Sequence, residues 1–544
     1  MKYSPIAPLL AVALAAVLSA SAQTNSTPSV PEAAVIEKLL GRIELLEQRE
    51  AERQANAEAA QKTHEQDVQK FVTRIRELES KVTAIESARV LPEISIPAQA
   101  GPTTEELDQK IRIAERHAEL TAEASEAKAK DSPKLSISQN GVSFSSADTN
   151  FVVKLRGLVQ LDGRKFFDDN PRSEGNDTFL LRRARPIIEG TFFRDFDFQI
   201  VPDFGGSSVQ LVDAFVNYRA RPELQFKAGK FKGPVGLEQL QSDATLPFNE
   251  RSLVTGLVST RNVGVQLWGD IAEGALGYAI GAFNQAGDGR NPNNNDFNDN
   301  KEIAGRIFAQ PFKSTERASL QAFGVGLAGS WSQVRSNSAG LPSTTGGTLP
   351  GYATEAQQQF FAYNPSIGTV VADGEHWRLS PQLSYLFGPF GLIAEYGISH
   401  QEVANSATGA RAALEHHAWQ VGAQWMVTGE LASFTGIVPE RPFNWRTGGW
   451  GAWQLMARYS NLSIDDAAFG DFSDASLSAS EATAWSVGIN WWLNKNVRVL
   501  TSFTHTTFDG GGNFNPLDSR TFSAPATVTA QDENALFTRI QIGF

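Results

Sequence analysis

The chain has 544 residues, a formal net charge of −12, 41% hydrophobic residues and no cysteine. The acidic balance, with no basic stripe or arm to offset it, excludes a nucleic-acid partner, and without cysteine no disulfide can stabilise the fold. No stretch reaches 18 apolar residues, so no segment reads as a membrane-spanning helix.

The first 22 residues read as an export signal. Lys2 supplies the positive start, Leu9–Leu18 is a short apolar run, and Ala20-Ser21-Ala22 is a small-residue cleavage site before Gln23. Residues 23–31 are a Ser/Thr/Pro-rich linker. From 32 to 90 the composition turns to Ala, Glu, Gln, Lys and Arg. Ile36, Leu39, Ile43 and Leu46 form one heptad seam, and Val68, Phe71, Ile75, Leu78, Val82 and Ile85 form another. Such seams predict a coiled coil that pairs with copies of itself; folding back on a domain of the same chain stays open. Residues 91–134 contain a proline-rich break, then a second helical stretch from about Thr103 to Lys130.

From 135 to 544 the period changes from 3.5 to 2. Val153, Leu155, Val159 and Leu161 share one parity, and Lys154, Arg156, Gln160, Asp162 and Arg164 the other. Trp377, Leu379, Leu383 and Tyr385 alternate with Arg378, Ser380, Gln382 and Ser384, and Trp485, Val487, Ile489 and Trp491 with Ser486, Gly488 and Asn490. About sixteen such strands are predicted, with aromatic residues near their ends. Short turns are expected near Arg194 and at 220–223, 271–275, 388–389 and 494–495. Long loops are expected at 233–259, 285–301, 334–375, 401–415, 465–481 and 509–533. The second loop, near 205–208, is short, and the turn at 429–449 is long. Short turns at one end and long loops at the other predict an all-β transmembrane barrel of antiparallel strands in the outer membrane of a Gram-negative-type bacterium, with the preceding helical coil in the periplasm. The last strand, Asn534–Phe544, alternates throughout and ends on an aromatic residue. Phe544 is therefore the expected assembly signal, the last member of an outward apolar row.

Six segments resemble the phosphate-selective porin O and P family: Leu180–Arg185 (LLRRAR), Val212–Tyr218 (VDAFVNY), Gly229–Glu238 (GKFKGPVGLE), Asn249–Leu253 (NERSL), Arg261–Leu267 (RNVGVQL) and Gly451–Ser460 (GAWQLMARYS). The resemblance implies a sixteen-stranded, homotrimeric porin that passes small hydrophilic solutes passively. It also implies a third external loop folded into the lumen, by position Gly233–Ser259. That loop, with Glu238, Asp243, Glu250 and Arg251, is too polar for a lipid-facing segment. Phosphate-selective members line the pore with an arginine ladder and a lysine cluster. This barrel, 150–544, holds 31 Lys and Arg against 38 Asp and Glu, and only eight of the 31 are lysines. The expectation is a modest anion preference that includes phosphate as a candidate.

Parity places Lys154, Arg156, Arg164, Arg183, Arg185, Lys227, Arg306, Arg378, Arg458, Arg498 and Arg539 inward, together with Asp162, Glu189, Asp195, Asp197, Asp203 and Asp213. Lys230 and Lys232 flank the start of the inward loop. Arg182 and Arg183 cannot both face the lumen on a regular strand, so Arg182 is expected at the rim or beside a bulge. Inward charges also pair across strands to hold a barrel's shape, so facing inward does not by itself mean touching an ion.

No enzyme, metal site or cofactor is expected. HExxH, GxSxG, P-loop and CxxC patterns are absent. His416 and His417 are adjacent and would face opposite sides of a strand. The loop at 288–299 is rich in oxygen ligands but lacks the glycine and closing glutamate of an EF-hand. The alternative function is structural: an outer-membrane anchor whose coil tethers the membrane to peptidoglycan or other cell-wall components.

Overall fold

The computed structural model describes part of 108–120 and then 132–167, 177–206, 208–289, 299–334, 349, 351–363, 370–475, 477–510 and 532–544. The expected signal, linker and coiled coil lie outside these residues. So does most of the second helical stretch; its described part is helical, with Arg112–Asp108 and Arg116–Glu119 ion pairs one turn apart. The chain divides into two units, Met1–Glu115 and Arg116–Phe544.

The second unit opens with a hairpin, β1 (Lys134–Ser138) and β2 (Gly141–Ser145). The strands β3 (Val152–Phe166), β4 (Thr178–Phe192), β5 (Phe196–Asp203), β6 (Gln210–Arg221), β7 (Leu224–Lys232), β8 (Arg261–Ile271), β9 (Leu276–Asn284), β10 (Lys301–Ala309) and β11 (Gly324–Val334) follow. A small loop hairpin comes next, β12 (Tyr352–Ala353) and β13 (Gln359–Phe361). The chain ends with β14 (Val370–Phe387), β15 (Phe390–Asn405), β16 (Arg411–Met426), β17 (Ala452–Ser463), β18 (Glu481–Trp492), β19 (Val497–Asp509) and β20 (Glu533–Gly543). Leaving aside β1, β2, β12 and β13, sixteen strands pair antiparallel, each with the next, and β20 pairs back on β3. The barrel is closed, so it leaves no open sheet edge among these strands.

Alternation sorts the two faces. Leu155, Val159, Leu161, Val216, Leu267, Val487 and Ile540 are exposed on the outside, whereas Gln160, Asp162, Arg378, Ser486, Asn490 and Arg539 are buried inside. A water-soluble sheet would show the reverse, because apolar area prefers to leave water. The closing seam is polar and tight. Arg539 grips Asp162 with two hydrogen bonds of 2.6 and 2.7 Å, and the Gln160 side chain donates to Gln541 at 2.7 Å.

Two features differ from the sequence reading, and a third extends it. The long loop expected at 401–415 is a five-residue turn, because β15 and β16 continue paired to Ala404–Arg411. The β1–β2 hairpin was not expected. It pairs with β3 at Val152–Leu155, beyond the point where β20 ends, and its turn is held by Lys495 and Asn496 of the β18–β19 turn. The long turn after β16 folds back towards the barrel: Met426, Ala432 and Ile437 form an apolar cluster with Ala452 and Trp492.

Candidate functional site

Residues 233–260, between β7 and β8, turn into the barrel and are mostly buried. Gly236 starts the turn with a φ of +92°, a conformation that suits glycine. A short helix, Leu237–Leu240, follows, and the N–H groups of Leu237 and Glu238 donate to the Glu395 carboxylate of β15 at 2.6 and 3.0 Å. The segment then crosses to β3, β18, β19 and β20. Gln160 donates to the Asp243 carbonyl, Gln541 to that of Ala244, Arg498 to that of Leu246, and Asn490 to that of Pro247. Beyond it, Leu253, Val254 and Leu257 pack with Tyr352, Phe361, Leu414 and Leu462 in one apolar cluster.

Three loop carboxylates hold this path. Glu238 accepts from the Ser252 amide and hydroxyl, from Gln420 and from Arg458, so it joins both limbs of the loop to β16 and β17. Asp243 meets four guanidiniums: Arg183 at 3.4 Å, Arg251 at 2.6 Å, Arg261 at 3.8 Å, and Arg185. Glu250 takes a bidentate pair from Arg182 at 2.6 and 3.0 Å, with Arg164 at 3.2 Å and Arg539 at 3.3 Å. Burial pushes the Asp243 carboxyl up, but Arg183, Arg251, Lys232 and Arg185 together outweigh it and hold the group well below the usual carboxylate range. Glu250 is likewise held low against burial, chiefly by Arg182.

Arg182 and Arg183 do both face the loop. The β3–β4 register shifts between Gln160 and Leu161, so Arg182 is the extra residue of a bulge and its side chain swings inward beside Arg183.

Two cavities lie on either side of the inward segment. The one towards the long loops has about 710 Å³ and is lined by five cationic and five acidic side chains. The one towards the short turns has about 750 Å³ and is lined by seven cationic side chains against three acids. Arg185, Asp243 and Arg261 line both and form the partition between them. Arg185 is tied to Asp203 at 2.6 Å, and Arg261 to Asp213 at 3.1 Å.

The expected pore-lining residues separate into groups. Arg156, Arg185, Lys227, Lys232 and Arg306 line the turn-end cavity; Arg183 and Arg185 line the loop-end cavity. Arg156 pairs with Glu189, and Lys232 donates to the Gln241 carbonyl. Lys227 sits 4.8, 5.0 and 5.3 Å from the ring centroids of Phe215, Trp268 and Phe231. Lys230 is buried on the same strand.

Other expected pore-lining residues stand elsewhere. Arg378 and Arg458 point inward but are sealed under loops and line neither large cavity. Arg378 binds Asp288, Glu302 and the Ala286 carbonyl; Arg458 binds Glu238 and Glu355. Arg164 is spent on Glu250, and Lys154 is exposed at the turn-end rim beside β2. Phe544 is half exposed, with its ring against Gly157. His416 is buried inside, whereas His417 pairs with Glu415 on the outward row. Asp288 is engaged by Arg378, Ser399 and Tyr352. Arg261 and the rings around Lys227 were not singled out from sequence, since their role depends on which side chains converge across three strands.

A profile of the family described as phosphate-selective porin O and P matches residues 153–527. The chain is 25% identical over 400 residues to Porin O of Pseudomonas aeruginosa, covering 68% of this chain and 86% of that one. It is 24% identical over 388 residues to an uncharacterised protein of Caulobacter vibrioides, covering 68% and 70%. Among solved structures, the outer membrane channel DcaP of Acinetobacter baumannii aligns with a TM-score of 0.46 at 11% identity, covering 73% of this chain and 98% of that one. An anion-selective porin from Comamonas acidovorans aligns with a TM-score of 0.43 at 10% identity, covering 72% and 100%.

Proposed function

The chain belongs to the phosphate-selective porin O and P family and is an outer-membrane channel, and from that premise we propose that it passes small hydrophilic anions by passive diffusion, as a homotrimer, with a modest preference over cations. The observation that carries this reading is the partition. Two guanidiniums, Arg185 and Arg261, and one carboxylate, Asp243, are shared by the cavities on both sides, and the turn-end cavity has a clear majority of cations. A permeating ion responds to charges at the narrow, poorly screened point more than to the summed charge of the barrel. Acids on the outer loops, such as Asp465, Asp466 and Asp474, are screened beyond about 8 Å at physiological ionic strength. Arginine suits the partition because its fork matches an oxyanion and stays charged when partly dehydrated. Phosphate is one candidate among these anions.

Reversal potentials across a salt gradient test the reading. Chloride should be favoured over potassium, and Arg261→Gln should weaken that preference. Cation preference in the unmodified channel would refute it.

A further inference from the structure

The turn-end cavity is not merely cationic. Four of its seven cations have no carboxylate oxygen within 4.0 Å among the described residues; Lys232 and Lys495 donate to the Gln241 carbonyl and the Asn140 side chain, which leaves Lys227 and Arg306. Both are instead placed by aromatic faces. Lys227 stands among Phe215, Trp268 and Phe231, and Arg306 lies 4.6 Å from the centroid of Phe308 while donating to Gln382 at 2.9 Å. The cage around Lys227 is set before any ligand arrives. The Trp268 indole N–H donates to Asn217 at 2.8 Å, and Asn217 donates to Gln225 at 3.0 Å. Phe215 and Phe231 pack edge to face, and Phe231 packs in the same way on Phe283. The nearby acid, Asp213, is already bound by Arg261 through two contacts of 3.1 and 3.3 Å. Lys227, Phe215 and Trp268 are half-buried and line the cavity together with Ile187 and Val201.

We propose that this cavity binds anions with an apolar, planar body, with aryl carboxylates as the simplest members. The proposal rests on the anion-channel reading above. The carboxylate supplies the counter-charge that Lys227 lacks, and the ring lies against Phe215 and Trp268, which gain from an aromatic neighbour and from the loss of water. A small fully hydrated anion satisfies only the first demand, because it brings no apolar surface to the rings. A cation with an apolar body satisfies only the second and is repelled by the charge majority. Among the described residues, the cavity on the other side of the partition has balanced charge and one aromatic lining residue, Tyr352, so discrimination by the anion's body belongs to the turn-end side.

The full-length protein in planar bilayers tests this with benzoate and acetate as probes, each added to a chloride solution while chloride current is recorded. Benzoate should block half of the current at a concentration roughly tenfold below that of acetate, the factor expected for partly withdrawing one phenyl ring from water. Lys227→Gln should weaken block by both probes several-fold, and, separately, Trp268→Leu should bring the two probes to within about twofold of each other. Equal block by benzoate and acetate in the unmodified channel overturns the proposal, as does tenfold discrimination that survives Trp268→Leu or block that Lys227→Gln leaves unweakened. Chloride-over-potassium selectivity is measured on the same channels. Cation preference there overturns the anion-channel reading itself, whereas anion preference with equal block overturns only the aryl-carboxylate site. Should Lys227→Gln fail to insert, Trp268→Leu retains every charge and decides with the unmodified ratio.

Discussion

The ring of Phe544 occupies the space above Gly157: a Cβ on Gly157 would come within 2.5 Å of the Phe544 Cζ. The two backbones also exchange hydrogen bonds, Gly157 N–H to Phe544 at 2.9 Å and Phe544 N–H to Gly157 at 3.0 Å. The glycine lies on the outward row between Leu155 and Val159, so the terminal ring covers the exposed backbone where the first and last barrel strands meet. Replacing Phe544 with Ser should lower the yield of folded barrel, read as the heat-modifiable band on a gel, with conductance per channel unchanged in what does assemble. Gly157→Val should lower yield in the same way, since the new side chain needs the space of the ring. An unchanged yield for both would contradict this account.

The seam is also held by charge. Arg539 and Asp162 are both fully buried and joined by two hydrogen bonds. Asp162→Asn removes the charge that Arg539 was folded to meet, and breaking a buried pair on one side costs about 3–5 kcal/mol. The unfolding temperature in detergent should fall clearly. Adding Arg539→Gln to Asp162→Asn should recover part of the loss, because the buried Arg539 charge, left with only the 3.3 Å contact to Glu250, is then removed. A double variant no better than the single one would show that the pair is not coupled.

Glu250 gathers Arg182, Arg164 and Arg539 around one carboxylate on the inward segment. Glu250→Gln leaves three guanidiniums with less compensating charge next to the partition. Two changes are expected together in single-channel records: larger current fluctuations, from a loosened segment, and stronger anion preference, from the lost negative charge. Steady current with unaltered selectivity would mean that the segment is held by its backbone contacts alone.

Acid should act on the same segment. Asp243 and Glu250 both have carboxyls held below their unfolded values. Their contribution is therefore fully present above the unfolded carboxylate range, about pH 4 to 4.5, and is lost as pH falls from there towards the depressed folded values. Records should be stable from pH 7 down to about 4.5 and become noisy below it. Noise that grows instead as pH rises above 7 would have the wrong sign for carboxylate anchors.

The barrel should assemble without the predicted coil. Residues 32–130 lack the period-two alternation that builds the sheet, and the barrel strands close without them. A variant lacking 32–130 should insert and conduct; failure to insert would show that the two units depend on each other.

Period-two alternation was legible directly, because a strand's side chains must point to opposite sides and the two sides here meet different solvents. Val159 against Gln160, or Val487 against Ser486, declares a face without any knowledge of neighbours. Strand number and the inward loop at 233–259 followed from that pattern and from the resemblance. Shorter or less apolar pieces did not. The β1–β2 hairpin, KLSIS and GVSFS, is too short and serine-rich to stand out, and the paired ends of β15 and β16 read as loop from sequence.

By itself, the sequence determined which residues face inward and which face outward, since alternation is a local property of the backbone. Tertiary structure alone decided which inward charges meet one another and which stay available to a solute. Asp243 joins Arg185 across 58 positions and Arg539 joins Asp162 across 377. Arg378 and Arg458 disappear under loops, whereas Lys227 keeps its place beside the cavity. Those outcomes depend on the register between strands, on one bulge at Arg182 and on the path of a loop through the lumen. Each of these is settled by contacts between distant segments, and no local pattern of residues encodes them.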